Sequence, residues 1–63
     1  MIRLTRFCGD LIFVNSDLIE LVERVPDTVL TLVSGNRLIV QETPEQVAEL
    51  VRTFRQSLLN ATL

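Results

Sequence analysis

Histidine, lysine, tryptophan and tyrosine are all missing from this 63-residue chain, which holds one cysteine, two glycines and two prolines. Each scarcity excludes something. A lone Cys8 permits no internal disulfide, and without histidine the chain cannot build an ordinary structural zinc site by itself. Cys8 reads as a small hydrophobe near a turn. With neither histidine nor lysine, a conventional base for a Ser, Thr or Cys nucleophile must be a carboxylate or the terminal amine. Asp10, Asp17, Glu20, Glu23 and Asp27 supply carboxylates. On so small a scaffold these cap turns and face solvent rather than form an acid–base pair in a dry cleft. Gly9 and Gly35 stand alone, so no phosphate-cradling loop is present. The expectation is a protein that is not an enzyme and takes no cofactor.

Long hydrophobic runs are also scarce. The longest, Leu11-Ile12-Phe13-Val14, is far short of the roughly 20 residues that span a bilayer. Met1 to Arg6 is interrupted by charge too often for a signal peptide. These features point to a cytoplasmic protein without membrane insertion. Six arginines against eight acidic residues leave a formal charge of −2, which is not the footprint of a general nucleic-acid binder. RNA binding by a β-rich oligomer is the alternative reading, with Arg6 and Arg37 on a basic rim. Its stacking residues could only be Phe7, Phe13 and Phe54, each of which reads as core.

What is present is apolar surface. Hydrophobic residues make up 48% of a chain that can form one domain, residues 1–63, and at this size only about 60% of the unfolded surface can be buried. Turn signals cut residues 2–41 into short strands. Residues 2–7 and 11–14 flank a two-residue turn at Gly9-Asp10, and residues 18–25 and 28–33 flank Pro26-Asp27. A short helix over 17–24, capped by Asp17, is the competing reading, and strand is preferred. Gly35-Asn36 then leads into a last strand, Arg37–Gln41, with a three-residue loop as the other option. Thr43-Pro44-Glu45-Gln46 opens a helix over about 44–60 through a capping box and proline at the first helical position. Val47, Leu50, Val51, Phe54 and Leu58 form its apolar stripe, with Leu59 and Leu63 off that stripe. The fold class is α+β: a small antiparallel sheet of about five strands and one C-terminal helix.

With two-residue loops, Arg24 lies opposite Val29 and Glu23 opposite Leu30. One face then carries Ile19, Leu21, Val25, Leu30, Leu32 and Ile39, and the other Val22, Val29, Thr31, Val33, Leu38 and Val40. The first hairpin sets Phe7, Ile12 and Val14 against Leu4, Leu11 and Phe13. A one-residue slip would reassign these sets, but neither face becomes consistently polar. One helix covers one face, so the surplus predicts a homo-oligomer or a partner surface.

The order of motifs resembles the small flagellar family called FlbD or SwrD, associated with swarming motility. The likeness rests on Leu4-Thr5-Arg6 with Gly9, on Asn15-Ser16-Asp17-Leu18-Ile19-Glu20, and on Pro26-Asp27-Thr28. It continues through Thr31-Leu32, Gly35, Val40, Glu42 and the helix containing Val47. The resemblance implies a cytoplasmic accessory factor, peripheral at the flagellar motor, that supports motor power through the stator units and needs neither catalysis nor cofactor. Asp17, Glu20, Asp27 and Thr28 match its motifs and are candidate partner contacts beside their roles in turns and caps. Val29 and Leu59 join them as candidate apolar contacts of a partner or oligomer.

Overall fold

The computed structural model describes residues 1–61, with side chains described up to Leu59. Five strands precede one helix: β1 (Ile2–Thr5), β2 (Leu11–Val14), β3 (Ile19–Arg24), β4 (Thr28–Leu32), β5 (Arg37–Val40) and α1 (Pro44–Ala61). β1 and β2 form one antiparallel hairpin, and β3–β4–β5 form a second, three-stranded sheet. The α+β class is as the sequence predicts. A single 3-10 turn, Ser16–Leu18, precedes β3, so the strand reading of residues 19–24 holds against the helical one.

The loops are longer than expected, and this changes the faces. In the first hairpin the Arg6 N–H donates to the Asp10 carbonyl at 2.7 Å, and the Gly9 N–H donates to the Arg6 carbonyl at 2.8 Å. The loop is therefore Phe7-Cys8-Gly9, with Gly9 at φ 104° in its last position, not a two-residue Gly9-Asp10 turn. The third hairpin repeats the design. Leu32 and Asn36 close it, the Gly35 N–H reaches the Leu32 carbonyl at 2.8 Å, and Gly35 sits at φ 93°. Both glycines take the left-handed position that ends a three-residue hairpin loop, where a side chain would be strained.

The middle hairpin also has three loop residues, Val25-Pro26-Asp27, with a cis Val25–Pro26 peptide and the Val25 N–H bonded to the Asp27 carbonyl at 2.9 Å. Arg24 consequently lies opposite Thr28, and Glu23 opposite Val29, one residue away from the expected register. Because side chains alternate, that slip exchanges the faces of β3 relative to β4. A bulge between Ile19 and Leu21 returns Ile19 to the inner side, opposite Leu32.

The inner face of the larger sheet carries Ile19, Val22, Thr28, Leu30, Leu32, Leu38 and Val40, and the inner face of the hairpin carries Ile2, Leu4, Ile12 and Val14. Leu4 thus belongs with Ile12 and Val14, not with Leu11 and Phe13 as the shorter loop implied. α1 lies across both: Val47 is buried, and Leu50, Val51 and Phe54 pack against the same cluster. Leu58, expected on the buried stripe, is exposed near the helix's end. Leu4, Leu30, Val40 and Val47 are the most completely buried side chains, each stabilising the fold by about 1.5–3 kcal/mol.

The helix begins as its sequence predicts. The Thr43 N–H donates to Gln46 Oε1 at 2.9 Å, and the Gln46 N–H donates to Thr43 Oγ1 at 3.1 Å.

Candidate interaction surfaces

The seam between the two sheets brings β1 alongside β5. Arg6 bridges to Val40, the Phe7 N–H donates to the Ile39 carbonyl at 3.0 Å, and the Gln41 N–H donates to the Thr5 carbonyl at 2.9 Å. The chain then turns toward the helix, and Glu42 replaces the next backbone partner with its side chain. Its two carboxylate oxygens accept from the Thr5 N–H at 2.9 and 3.1 Å, and Oε2 also accepts from the Thr5 hydroxyl at 3.0 Å. Burial pushes the Glu42 carboxyl up. The hydrogen bonds from the Thr5 N–H, Glu42's own N–H and the Thr5 hydroxyl, with the charge of Arg3, outweigh it and hold the group below its ordinary range. Thr5 and Glu42 are structural, and only the resemblance pointed to them, because pairing across 37 residues has no local signal.

The outer face of the three-stranded sheet is open. Thr28 and Leu30 are buried on the inner side, so Val29 and Thr31 point outward, with Glu23 and Leu21 beside them on β3 and Ile39 and Arg37 on β5. Leu21 and Ile39 are each 47% exposed. Val33 and Phe7, in the loops after β4 and β1, are more exposed still. A second apolar surface covers the outside of the hairpin, where Leu11 and Phe13 lie opposite Thr5 and Arg3. Phe7 and Phe13 were expected in the core. With Thr5 paired to Leu11 and Leu4 to Ile12, Phe13 turns outward opposite Arg3, and Phe7 stands in the loop.

The six candidate contacts do not converge. Asp17 lies in the 3-10 turn, its N–H held by Asn15 Oδ1 at 3.1 Å and its carboxylate 4.0 Å from Arg55 Nη2. Leu59 is exposed on α1, one helical turn beyond Arg55, so Asp17 and Leu59 share one end of the molecule. Glu20 is exposed on β3. Asp27 contributes its carbonyl to the middle loop. Thr28 is buried under the helix side of the sheet, while Val29 faces the opposite way, toward Ile39. Leu63, the expected far edge of the helix, lies outside the described residues. Leu21, Glu23, Arg37 and Ile39 complete the surface around Val29. Only a correct count of loop residues could have placed them there.

Three ion pairs form among the described residues, Arg24–Glu45, Glu49–Arg52 and Asp17–Arg55. Arg24, on the inner row at the sheet's edge, reaches Glu45 in the first turn of α1 at 3.3 Å. Glu49 and Arg52 form a close bidentate pair on the helix. The hydrogen bond from Arg52 and then its charge lower the Glu49 carboxyl, and the same contacts raise the Arg52 guanidinium. Among the described residues no three His, Cys, Asp or Glu side chains group as metal ligands. Among them, too, no helix is long and apolar enough to cross a membrane.

A family model described as FlbD, flagellar and swarming motility proteins, matches residues 1–59. No curated protein and no solved structure matches the chain. The match spans both sheets, all the loops that set their faces and nearly all of α1, and the chain belongs to the FlbD family of flagellar and swarming motility proteins.

Proposed function

We propose that this chain is a non-enzymatic accessory protein of the bacterial flagellum that acts by protein–protein contact, supporting motor power through the stator units. The observation that carries the reading is the open sheet face of Leu21, Val29 and Ile39, which α1 leaves uncovered because it packs on the other side. An apolar face of this kind on a small domain marks an interaction site. Its place is the cytoplasm, peripheral to the motor. Membership of a flagellar and swarming motility family supplies the biological setting.

The test is a deletion strain in which filaments are counted and torque is measured on tethered or bead-labelled flagella. Normal filament number with weak rotation is the expected result. Fewer filaments would point to assembly or gene regulation, and normal torque would refute a motor role.

One observation favours a second reading, RNA binding: Phe7 and Phe13 are exposed, and Arg3 lies opposite Phe13 on the outside of the hairpin. Against it stand the net charge of −2 and the pairing of Arg24, Arg52 and Arg55 with acids. No specific RNA retention is expected at physiological salt. Tight binding that falls steeply with salt and weakens on replacing Arg6 or Arg37 would promote this reading.

A further inference from the structure

The open sheet face has charges placed at opposite corners. Glu23, Val29 and Ile39 form one row across β3, β4 and β5, and Leu21, Thr31 and Arg37 form the next. Glu23 and Arg37 therefore occupy one diagonal of the patch, and Leu21 and Ile39 the other. Arg24, on the opposite side of the same sheet, is paired with Glu45 of α1. Among the described residues, the side chains of Glu23 and Arg37 have no ion pair or hydrogen bond.

We propose that a second copy of this chain occupies the face, related to the first by a two-fold axis lying in the interface along the Leu21–Ile39 diagonal. Rotation about that diagonal brings Leu21 against Leu21 and Ile39 against Ile39. It exchanges the charged corners, so that Glu23 of each copy meets Arg37 of the other. With strands about 4.8 Å apart and two residues rising about 6.8 Å, the exchanged corners fall within roughly 4 Å in projection, inside the reach of both side chains. The strands of the two sheets then cross steeply, in the orthogonal class of sheet packing. A two-fold axis along or across the strands would instead set Glu23 over Ile39 or Leu21 and leave it unpaired on an apolar surface. Charge complementarity selects the diagonal. The proposal rests on the reading that the chain works by protein contact, and it names the occupant of the surface.

The test is charge reversal with mass measured by light scattering after size exclusion, over a concentration series. The wild type is expected to run at twice the chain mass. Glu23→Arg and Arg37→Glu, each alone, place like charges at both corners and should weaken association at least about tenfold. The double variant, and an equimolar mixture of the two single variants, should regain it, because each restores two opposite-charge contacts. Circular dichroism checks the fold. If either reversal melts early, Glu23→Gln and Arg37→Gln report the same contacts with a smaller weakening, and unchanged association in both overturns the proposal.

A wild type that stays monomeric to about 1 mM also overturns it and assigns the face to a different protein. Single reversals that associate like the wild type, or a mixture that fails to recover, do the same for the diagonal pairing. Torque in the deletion strain is independent of these outcomes. A monomer with a weak-motor deletion removes self-docking and keeps the function, whereas a dimer with normal torque does the reverse.

Discussion

Replacing Glu42 by glutamine tests how the two sheets are held together. The carboxylate takes the place of a missing strand at the end of β1, accepting from the Thr5 N–H through both oxygens and from the Thr5 hydroxyl. Hydrogen bonds to a charged acceptor contribute about 1.5–3 kcal/mol when well buried. Glu42 is only partly buried, so solvent screening reduces this to about 1–1.5 kcal/mol for Glu42→Gln. In a domain of this size that lowers the melting temperature by about 5–10 °C, read at one fixed protein concentration because association also stabilises. The pH dependence separates charge from packing. The folded carboxyl lies below its ordinary value of 4.5, so its contribution is complete well above that value and is lost as pH falls through the folded value. The gap between wild type and Glu42→Gln should be constant near neutrality and close as the pH drops below about 4.5. Thermal melts monitored by circular dichroism at several pH values give the curve. A gap that persists unchanged into strong acid would show that the carboxylate's charge plays no part in the seam.

Leu30→Ala empties the centre of the inner face and should cost about 2–5 kcal/mol, enough to unfold much of so small a domain in a denaturant titration. Gly35→Ala meets no neighbouring atom within 4 Å, so its cost is the backbone strain of φ 93° alone, about 1 kcal/mol by the same measurement. Thr43→Ala removes the hydroxyl half of the capping box and should cost about 1 kcal/mol, with the loss of helix signal appearing first at the start of α1 in amide exchange. Val29→Glu charges the centre of the open face, and Leu59→Glu the exposed end of α1. With the fold confirmed by circular dichroism, either should reproduce the weak torque of the deletion if its surface is the docking site, and normal torque would exclude that surface.

Much of this architecture was legible because its signals are local. Thr43, Pro44 and Gln46 mark a helix start by chemistry confined to four residues, and the structure realises both capping bonds. The apolar stripe from Val47 to Phe54 packs as the helical period requires. Strand against helix at residues 19–24 was resolved by the turn that follows. Register was less legible, because loops of two and three residues draw on the same turn-forming residues and differ only in where the left-handed position falls. Gly9 and Gly35 take the last of three loop positions, so that Leu11 pairs with Thr5 rather than Cys8 and Arg37 with Thr31 rather than Ser34, a shift of three residues that exchanges the faces. The bond between Thr5 and Glu42 lay beyond local reading for another reason. Neither residue's neighbours show that β1 and the β5–α1 connection meet.

One loop residue at the Val25-Pro26-Asp27 turn decides the character of both sides of the sheet. With two loop residues, Glu23 would face inward opposite Leu30, beneath the helix, where a carboxylate without a partner is costly to bury. With three, Glu23 turns outward opposite Val29, and Arg24 takes the inner row beside Thr28, at the edge where Glu45 of α1 receives it. The same shift brings Leu21 into the open, opposite Thr31. The arrangement places the inner charge where the helix neutralises it and leaves Glu23 and Arg37 as the unpaired polar corners of an apolar face. A surface that combines exposed leucine, valine and isoleucine with one charge of each sign on a diagonal is complementary to its own two-fold copy, and a helix packed on the opposite side cannot satisfy it.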